Sequence, residues 1–234
     1  MSAEEETRIR RNWERVEARI AAACARAGRR RDEVLLVAVT KNRANSEVAA
    51  LKKLGLTDFG ENRVQDAREK IPEFPGIHWH LIGHLQTNKA KYLPGLISCV
   101  HSVDSLEVAA ALNAAWEKHP EIPALKILIQ VNVAEEKQKF GISADQLCEI
   151  LPEIQKLSRL NISGLMAMAP FGDDPEEARP TFQKLRKLRD DTSINSKIIL
   201  PELSMGMTGD FEVAIEEGAT MVRIGTALFE EASS

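Results

Sequence analysis

The chain has 234 residues, 44% of them hydrophobic and 28% charged, with a formal net charge of −4 at neutral pH. That length allows one large domain or two small ones, and the composition is that of an ordinary globular protein with a sizeable core. The negative balance argues against sequence-independent nucleic-acid binding, which needs a basic face.

Residues 1–6 are acidic and lack the apolar stretch of a signal peptide. From about 3 to 27, Ile9, Trp13, Val16, Ile20 and Cys24 recur at spacings of three and four, which predicts an amphipathic helix. Gly28 follows as a natural C′ residue, and Arg26, Arg29, Arg30 and Arg31 complement the helix dipole. Strand-like and helix-like patterns then alternate. Strands are predicted over 34–40, 57–60, 77–82, 98–103, 125–133, 162–168, 200–204 and 221–224. Helices are predicted over 46–54, 64–70, 87–93, 105–117, 144–157, 176–189 and 209–217, with glycine and proline in the loops between. Such alternation implies parallel strands with right-handed crossovers. Eight strands fit a single (β/α)8 TIM-type barrel, typically ~250 residues; an open doubly wound sheet is the alternative. Nothing reads as a linker or second domain, so residues 1–30 are expected as an N-terminal helix packed on the barrel and 31–234 as one barrel domain. Cys24, Cys99 and Cys148 share no metal or redox spacing and read as reduced thiols of a cytosolic protein. No stretch approaches a membrane span, and a cytoplasmic protein is expected.

Barrels place their chemistry at the carboxyl ends of the strands. There the sequence puts Lys41 after the first strand, Asn62 after the second, His80 with His84 at the third, Ser204 at the seventh and Arg223-Ile224-Gly225-Thr226 at the eighth. A lysine buried at a strand end has a lowered pKa and becomes an amine nucleophile suited to Schiff bases. Loops after strands seven and eight are the usual phosphate site. Here they offer the Ser204 hydroxyl and the unobstructed backbone of Gly225 and Thr226, with Thr208 read as the N-cap of the next helix. A Schiff-base lysine, a phosphate cradle and an arginine between them describe a pyridoxal 5′-phosphate (PLP) site. His78, His80 and His84 lack the cysteine or spaced acid that would complete a metal site, and no metal is assigned. Met166, Met168, Met205, Met207 and Met221 sit on strand-like runs and read as barrel filling.

The motifs Ala38-Val39-Thr40-Lys41, Phe59-Gly60-Glu61-Asn62-Arg63, Trp79-His80-Leu81-Ile82-Gly83-His84-Leu85-Gln86, Leu203-Ser204-Met205-Gly206-Met207 and Met221-Val222-Arg223-Ile224-Gly225-Thr226 occur in that order. Together they resemble the pyridoxal phosphate homeostasis proteins, a family related to the N-terminal barrel of alanine racemase, over roughly residues 34–229. The resemblance implies that Lys41 carries the cofactor and that Ser204, Gly225 and Thr226 hold its phosphate. It also implies that Arg223 faces the pyridine nitrogen, that Asn62 and His80 line the pocket, and that Lys139 lies near its mouth. The chain departs from the family in lacking a Gly-x-Arg-x-Tyr tail and in having Thr208 where a serine is common. An arginine only donates hydrogen bonds, so the ring stays unprotonated and is a weak electron sink. Alanine racemase adds a tyrosine base from a second domain, whereas the one tyrosine here, Tyr92, falls in the helix predicted after the third strand. The resulting expectation is a PLP-binding protein of cofactor homeostasis that buffers or delivers PLP without turnover. PLP-dependent apoenzymes would be its recipients, with no nucleic-acid or membrane partner, and it would be a monomer or weak dimer. Two alternatives stand: an amino-acid racemase or other low-activity enzyme using the same Schiff base, and a sugar-phosphate aldolase with Lys41 as its amine.

Overall fold

The computed structural model describes residues 2–133, 140–170 and 172–230. Eight parallel strands close into a barrel in chain order. They are β1 (Leu35–Val39), β2 (Asp58–Glu61), β3 (His78–Leu81), β4 (Cys99–Val103), β5 (Leu125–Gln130), β6 (Leu160–Met166), β7 (Glu202–Ser204) and β8 (Met221–Ile224). β1 pairs with β8 through Leu35 opposite Met221 and Val37 opposite Arg223, which completes the ring. The α-helices are α1 (Ala3–Arg26), α2 (Asn45–Lys53), α3 (Val64–Lys70), α4 (Leu106–Glu117), α5 (Ala144–Ile154), α6 (Arg179–Ser196), α7 (Phe211–Glu216) and α8 (Thr226–Phe229).

Side chains alternate across each strand, so every strand serves two environments. The outward set, including Leu36, Ala38, Phe59, Trp79, Leu81, Ile127, Leu165, Leu203 and Val222, joins the helices in one continuous core. The inward set is smaller and mixed. Cys99, Leu128, Met166 and Met221, with Leu35 and Met168, form a separate apolar cluster, while Asp58, His80, His101, Ser204 and Arg223 are buried polar groups on the same strands. Met166, Met168 and Met221 therefore fill the barrel, but Met205 packs in the outer core and Met207 is exposed.

α1 lays Ile9, Val16, Ile20, Ala23 and Cys24 into the outer core. A capping box of Ser2 and Glu5 starts it, and Gly28 follows it at φ 65°. The arginines at and behind its end also reach specific partners. Arg26 pairs with Glu216, Arg31 with Glu17, and Arg29 donates to the carbonyls of Ile215 and Ala219 at the end of α7. Arg19 pairs with Glu212 on α7, and Asn12 donates to the carbonyls of Leu228 and Glu230.

Several predicted elements differ. Residues 87–92 form a 3-10 helix, not an α-helix, because six residues ahead of Pro94-Gly95 leave no room for an amphipathic stripe. α6 runs on to Ser196 and stops at Lys197, whose φ of 52° is left-handed. Asp210, not Thr208, occupies the cap position of α7. Its carboxylate accepts from the Met207 N–H at 2.6 Å, closing the turn.

Candidate cofactor site

A cavity of about 650 Å³ opens at the carboxyl end of the barrel, lined by Val39, Lys41, Asn62, Ile82, Met168, Thr208, Gly209, Asp210, Arg223, Gly225 and Thr226 among others. That size suits a small organic cofactor. Lys41 is exposed at its rim, so the buried lysine expected from the sequence is not found. The next residue, Asn42, takes a φ of 58°, a left-handed turn that asparagine tolerates, and it ends β1 abruptly at the mouth. Asn62 follows β2 and is fixed by Gly83: a Cβ there would fall 2.2 Å from the Asn62 carbonyl oxygen. Gly206 turns the β7 loop at φ 93°, and its carbonyl accepts from the Arg223 N–H at 3.0 Å, tying the two loops together.

Five of the seven site residues named from the sequence therefore meet at one cavity: Lys41, Asn62, Arg223, Gly225 and Thr226. Ser204 and His80 do not reach it. Both point into the barrel, and Ser204 is completely buried. From the β7 loop the hydroxyl on the cavity wall is that of Thr208, four residues further on, whose oxygen sits 3.5 Å from the Ala227 nitrogen. Lys139 lies outside the described residues.

Beneath the cavity the buried polar groups form a continuous chain. Arg223 Nη1 donates to Ser204 Oγ at 2.6 Å, and Nη2 to the Ala167 carbonyl at 3.1 Å. Ser204 Oγ is 2.8 Å from His101 Nδ1, His101 Nε2 is 2.8 Å from His80 Nδ1, and His80 Nε2 is 3.0 Å from Asp58 Oδ1. Asp58 also accepts from Thr57 at 2.7 Å. Sequence reasoning passed over His101 and Asp58. The signal available was a histidine on each of β3 and β4 beside an acid on β2.

Burial dominates the electrostatics of this interior. It pushes Arg223 down to about 10, with Asp210 partly offsetting the shift. The guanidinium stays charged at neutral pH, and among the described residues no carboxylate comes within ion-pair distance of it. Burial, helped by His80, Arg223 and Lys126, holds His101 well below the ordinary 6.5, so it is neutral. Burial raises Asp58, but hydrogen bonds from His80 and Thr57 outweigh it and leave the carboxyl below its ordinary value. Asp210 is raised, by burial first. Among the described residues, His80, Cys99 and His101 are close enough to share a metal ion, yet every nitrogen of the two histidines is already engaged in the chain.

A buried cation without a paired carboxylate, two threonine hydroxyls and a glycine backbone on one wall, with an amine at the rim, suit an anionic ligand carrying an electrophile. The comparisons agree. Residues 7–232 match the family model of the alanine racemase N-terminal domain. The chain is 42% identical over 219 residues to the pyridoxal phosphate homeostasis protein of Aquifex aeolicus (strain VF5), covering 93% of this chain and 95% of that protein. It is 38% identical over 230 residues to the protein of the same name from Escherichia coli (strain K12), covering 94% and 95%. Among solved structures, PipY of Synechococcus elongatus PCC7942, solved with PLP bound, superposes with a TM-score of 0.77 at 34% identity, covering 84% of this chain and 92% of that one. Alanine racemase of Clostridium difficile 630 superposes with a TM-score of 0.76 at 15% identity, covering 97% of this chain and 58% of the other, and shares the fold. The chain belongs to the alanine racemase N-terminal domain family and groups within it with the pyridoxal phosphate homeostasis proteins.

Proposed function

We propose that this protein binds PLP in the cavity at the carboxyl end of the barrel and serves in cofactor homeostasis, holding PLP for release to PLP-dependent apoenzymes. The observation that carries this reading is the meeting of Lys41, Thr208, Gly225, Thr226 and the buried Arg223 around one cavity. Bound PLP supplies an aldehyde for an amine and a conjugated ring. Lys41 is the amine within reach at the rim, and Thr208, Thr226 and the backbone of Gly225 are the donors for the phosphate. Arg223 is the donor for the ring nitrogen, and Asn62 is a further lining residue. Ser204 and His80, which do not touch the cavity, act through Arg223.

Absence of turnover belongs to the same reading. Arg223 offers the ring no acid stronger than a guanidinium. Tyr92, the single tyrosine of the chain, lies on the outer surface under Arg68 and Lys91, with Arg68 Cζ 4.5 Å from its ring, and so supplies no base to the cavity. No helix among the described residues is long and apolar enough to cross a membrane; a cytoplasmic monomer or weak dimer fits the proposed role.

The test is covalent mapping. The protein is incubated with PLP, reduced with borohydride and digested. The pyridoxyl group is expected on the peptide carrying Lys41, and Lys41→Ala is expected to lose the visible absorption of the complex. A label confined to Lys137 or Lys139 would sink the assignment.

A further inference from the structure

We propose that Asp58, His80, His101 and Ser204 are positioning residues for Arg223. They form a one-way hydrogen-bonded chain, anchored at the amino end of the barrel, that holds the guanidinium fixed at the cavity floor. The function assigned to Arg223 rests on the PLP reading above; the chain itself rests on interior geometry.

The direction of the chain follows from what each atom can do. Arg223 only donates and an ionised Asp58 only accepts. Asp58 therefore takes a hydrogen from His80 Nε2, 3.0 Å away. The remaining nitrogen of a neutral His80 is Nδ1, an acceptor, and His101 Nε2 at 2.8 Å supplies the hydrogen. His101 Nδ1 is then an acceptor and takes the Ser204 hydroxyl hydrogen at 2.8 Å. The Ser204 oxygen is left to accept from Arg223 at 2.6 Å. Each link satisfies both partners, and each depends on the one below it. A second proton on His80 reverses the two links above it, because His80 Nδ1 then donates and His101 must move its hydrogen to Nδ1. The Ser204 hydroxyl hydrogen would be left without its acceptor.

Position supports transmission rather than mere mutual satisfaction. All five residues are buried. Asp58 opens β2 at the end of the barrel opposite the cavity, beside the exposed His78, whose Nδ1 lies 3.5 Å from Asp58 Oδ1. The other charges facing the chain are few. Lys126 on β5, which acts on His101, is paired with Glu202 on β7 at 2.8 Å, and Asp210 offsets Arg223 from the β7 loop. Cys99, the thiol nearest the histidines, is pushed up to about 12 by burial and stays neutral. The carboxylate of Asp58 is therefore the negative end of the chain, and Arg223 the positive one.

Two measurements test this. In the cofactor-free wild type at pH 7.5, imidazole nitrogen-15 spectra should show both His80 and His101 carrying hydrogen on Nε2 and not on Nδ1. Hydrogen on Nδ1 of either ring overturns the chain as drawn, whether or not PLP binds. In the PLP complex, Asp58→Leu should move the pH midpoint of the visible band by about one unit, a tenfold change in the proton equilibrium. The same substitution in a Ser204→Ala background should move it no further, since the last link is already cut. A midpoint unchanged in folded Asp58→Leu overturns the proposal. If that variant fails to fold, His101→Phe breaks the chain at its middle and is held to the same expectation. A wild type that gives no visible band with PLP overturns the cofactor reading and the role given to Arg223, while the tautomer spectra still judge the chain.

Discussion

Lys70 and Glu61 form an ion pair at the strand end that carries the amine. Lys70 Nζ lies 2.5 Å from Glu61 Oε1 and 2.8 Å from the Thr40 carbonyl, and Thr40 Oγ1 is 2.7 Å from the same carboxylate oxygen. Glu61 is fully buried and its second oxygen has no partner. Removing the cation strands a buried charge, so Lys70→Met should cost roughly 3–5 kcal/mol in urea unfolding. Adding Glu61→Gln should recover much of that loss; a double variant no more stable than Lys70→Met would show that the pair is uncoupled. His101 and Asp58 make stability depend on pH with one sign. His101 has a folded pKa well below 6.5, so as pH falls past that value the unfolded chain binds the proton first and stability drops. Asp58, depressed below 3.8, loses its contribution at still lower pH in the same direction. The melting temperature should fall between pH 7 and 5, and His101→Gln should flatten that slope even if it lowers the overall value. Lys41, Asn62, Gly225 and Thr226 were legible because loops after strands reach the cavity whatever the register, and Arg223, on β8 itself, because the motif around it resembles that of the family. Ser204 and His80 were visible as residues but not as lumen residues, since a strand's inward face is set by pairing, which the sequence does not print.

Strands such as β1 and β5 were legible as elements because each is a largely apolar run bounded by polar or turn residues. Their ends were less so. β5 stops at Gln130, and Val131 continues only as an isolated bridge to Ile142. The last turns of α6, 190–196, are polar and carry no stripe to betray a helix. α1 was plain from its spacing, but the partners of Arg26 and Arg29 were not, because they lie about 190 residues away, on α7 and just after it. α1 shares the outer core through Ile20, which is fully buried. Ile20→Ala should cost about 2–5 kcal/mol, as large-to-small core changes do, and should unfold the barrel with the helix in one transition. Separate transitions for helix and barrel would show that residues 1–30 are a detachable appendage.

For the whole molecule, the cavity and the core are coupled by mass action. A ligand that binds only the folded state adds about 2.7 kcal/mol at one hundred times its dissociation constant. In a chain of this size that corresponds to roughly 5–10 °C in melting temperature. PLP should produce such a rise, and pyridoxal without phosphate a much smaller one; equal rises would remove the phosphate cradle from the argument. The barrel interior has a further consequence, for descent rather than for binding. A one-way chain of donors cannot be edited one residue at a time. Replacing His101 with a residue that cannot both accept from Ser204 and donate to His80 leaves two buried groups orphaned at once, at about 1–3 kcal/mol each. Among relatives, positions 58, 80, 101 and 204 should therefore change together or not at all, and lineages that abandon one should carry an apolar lumen at the other three.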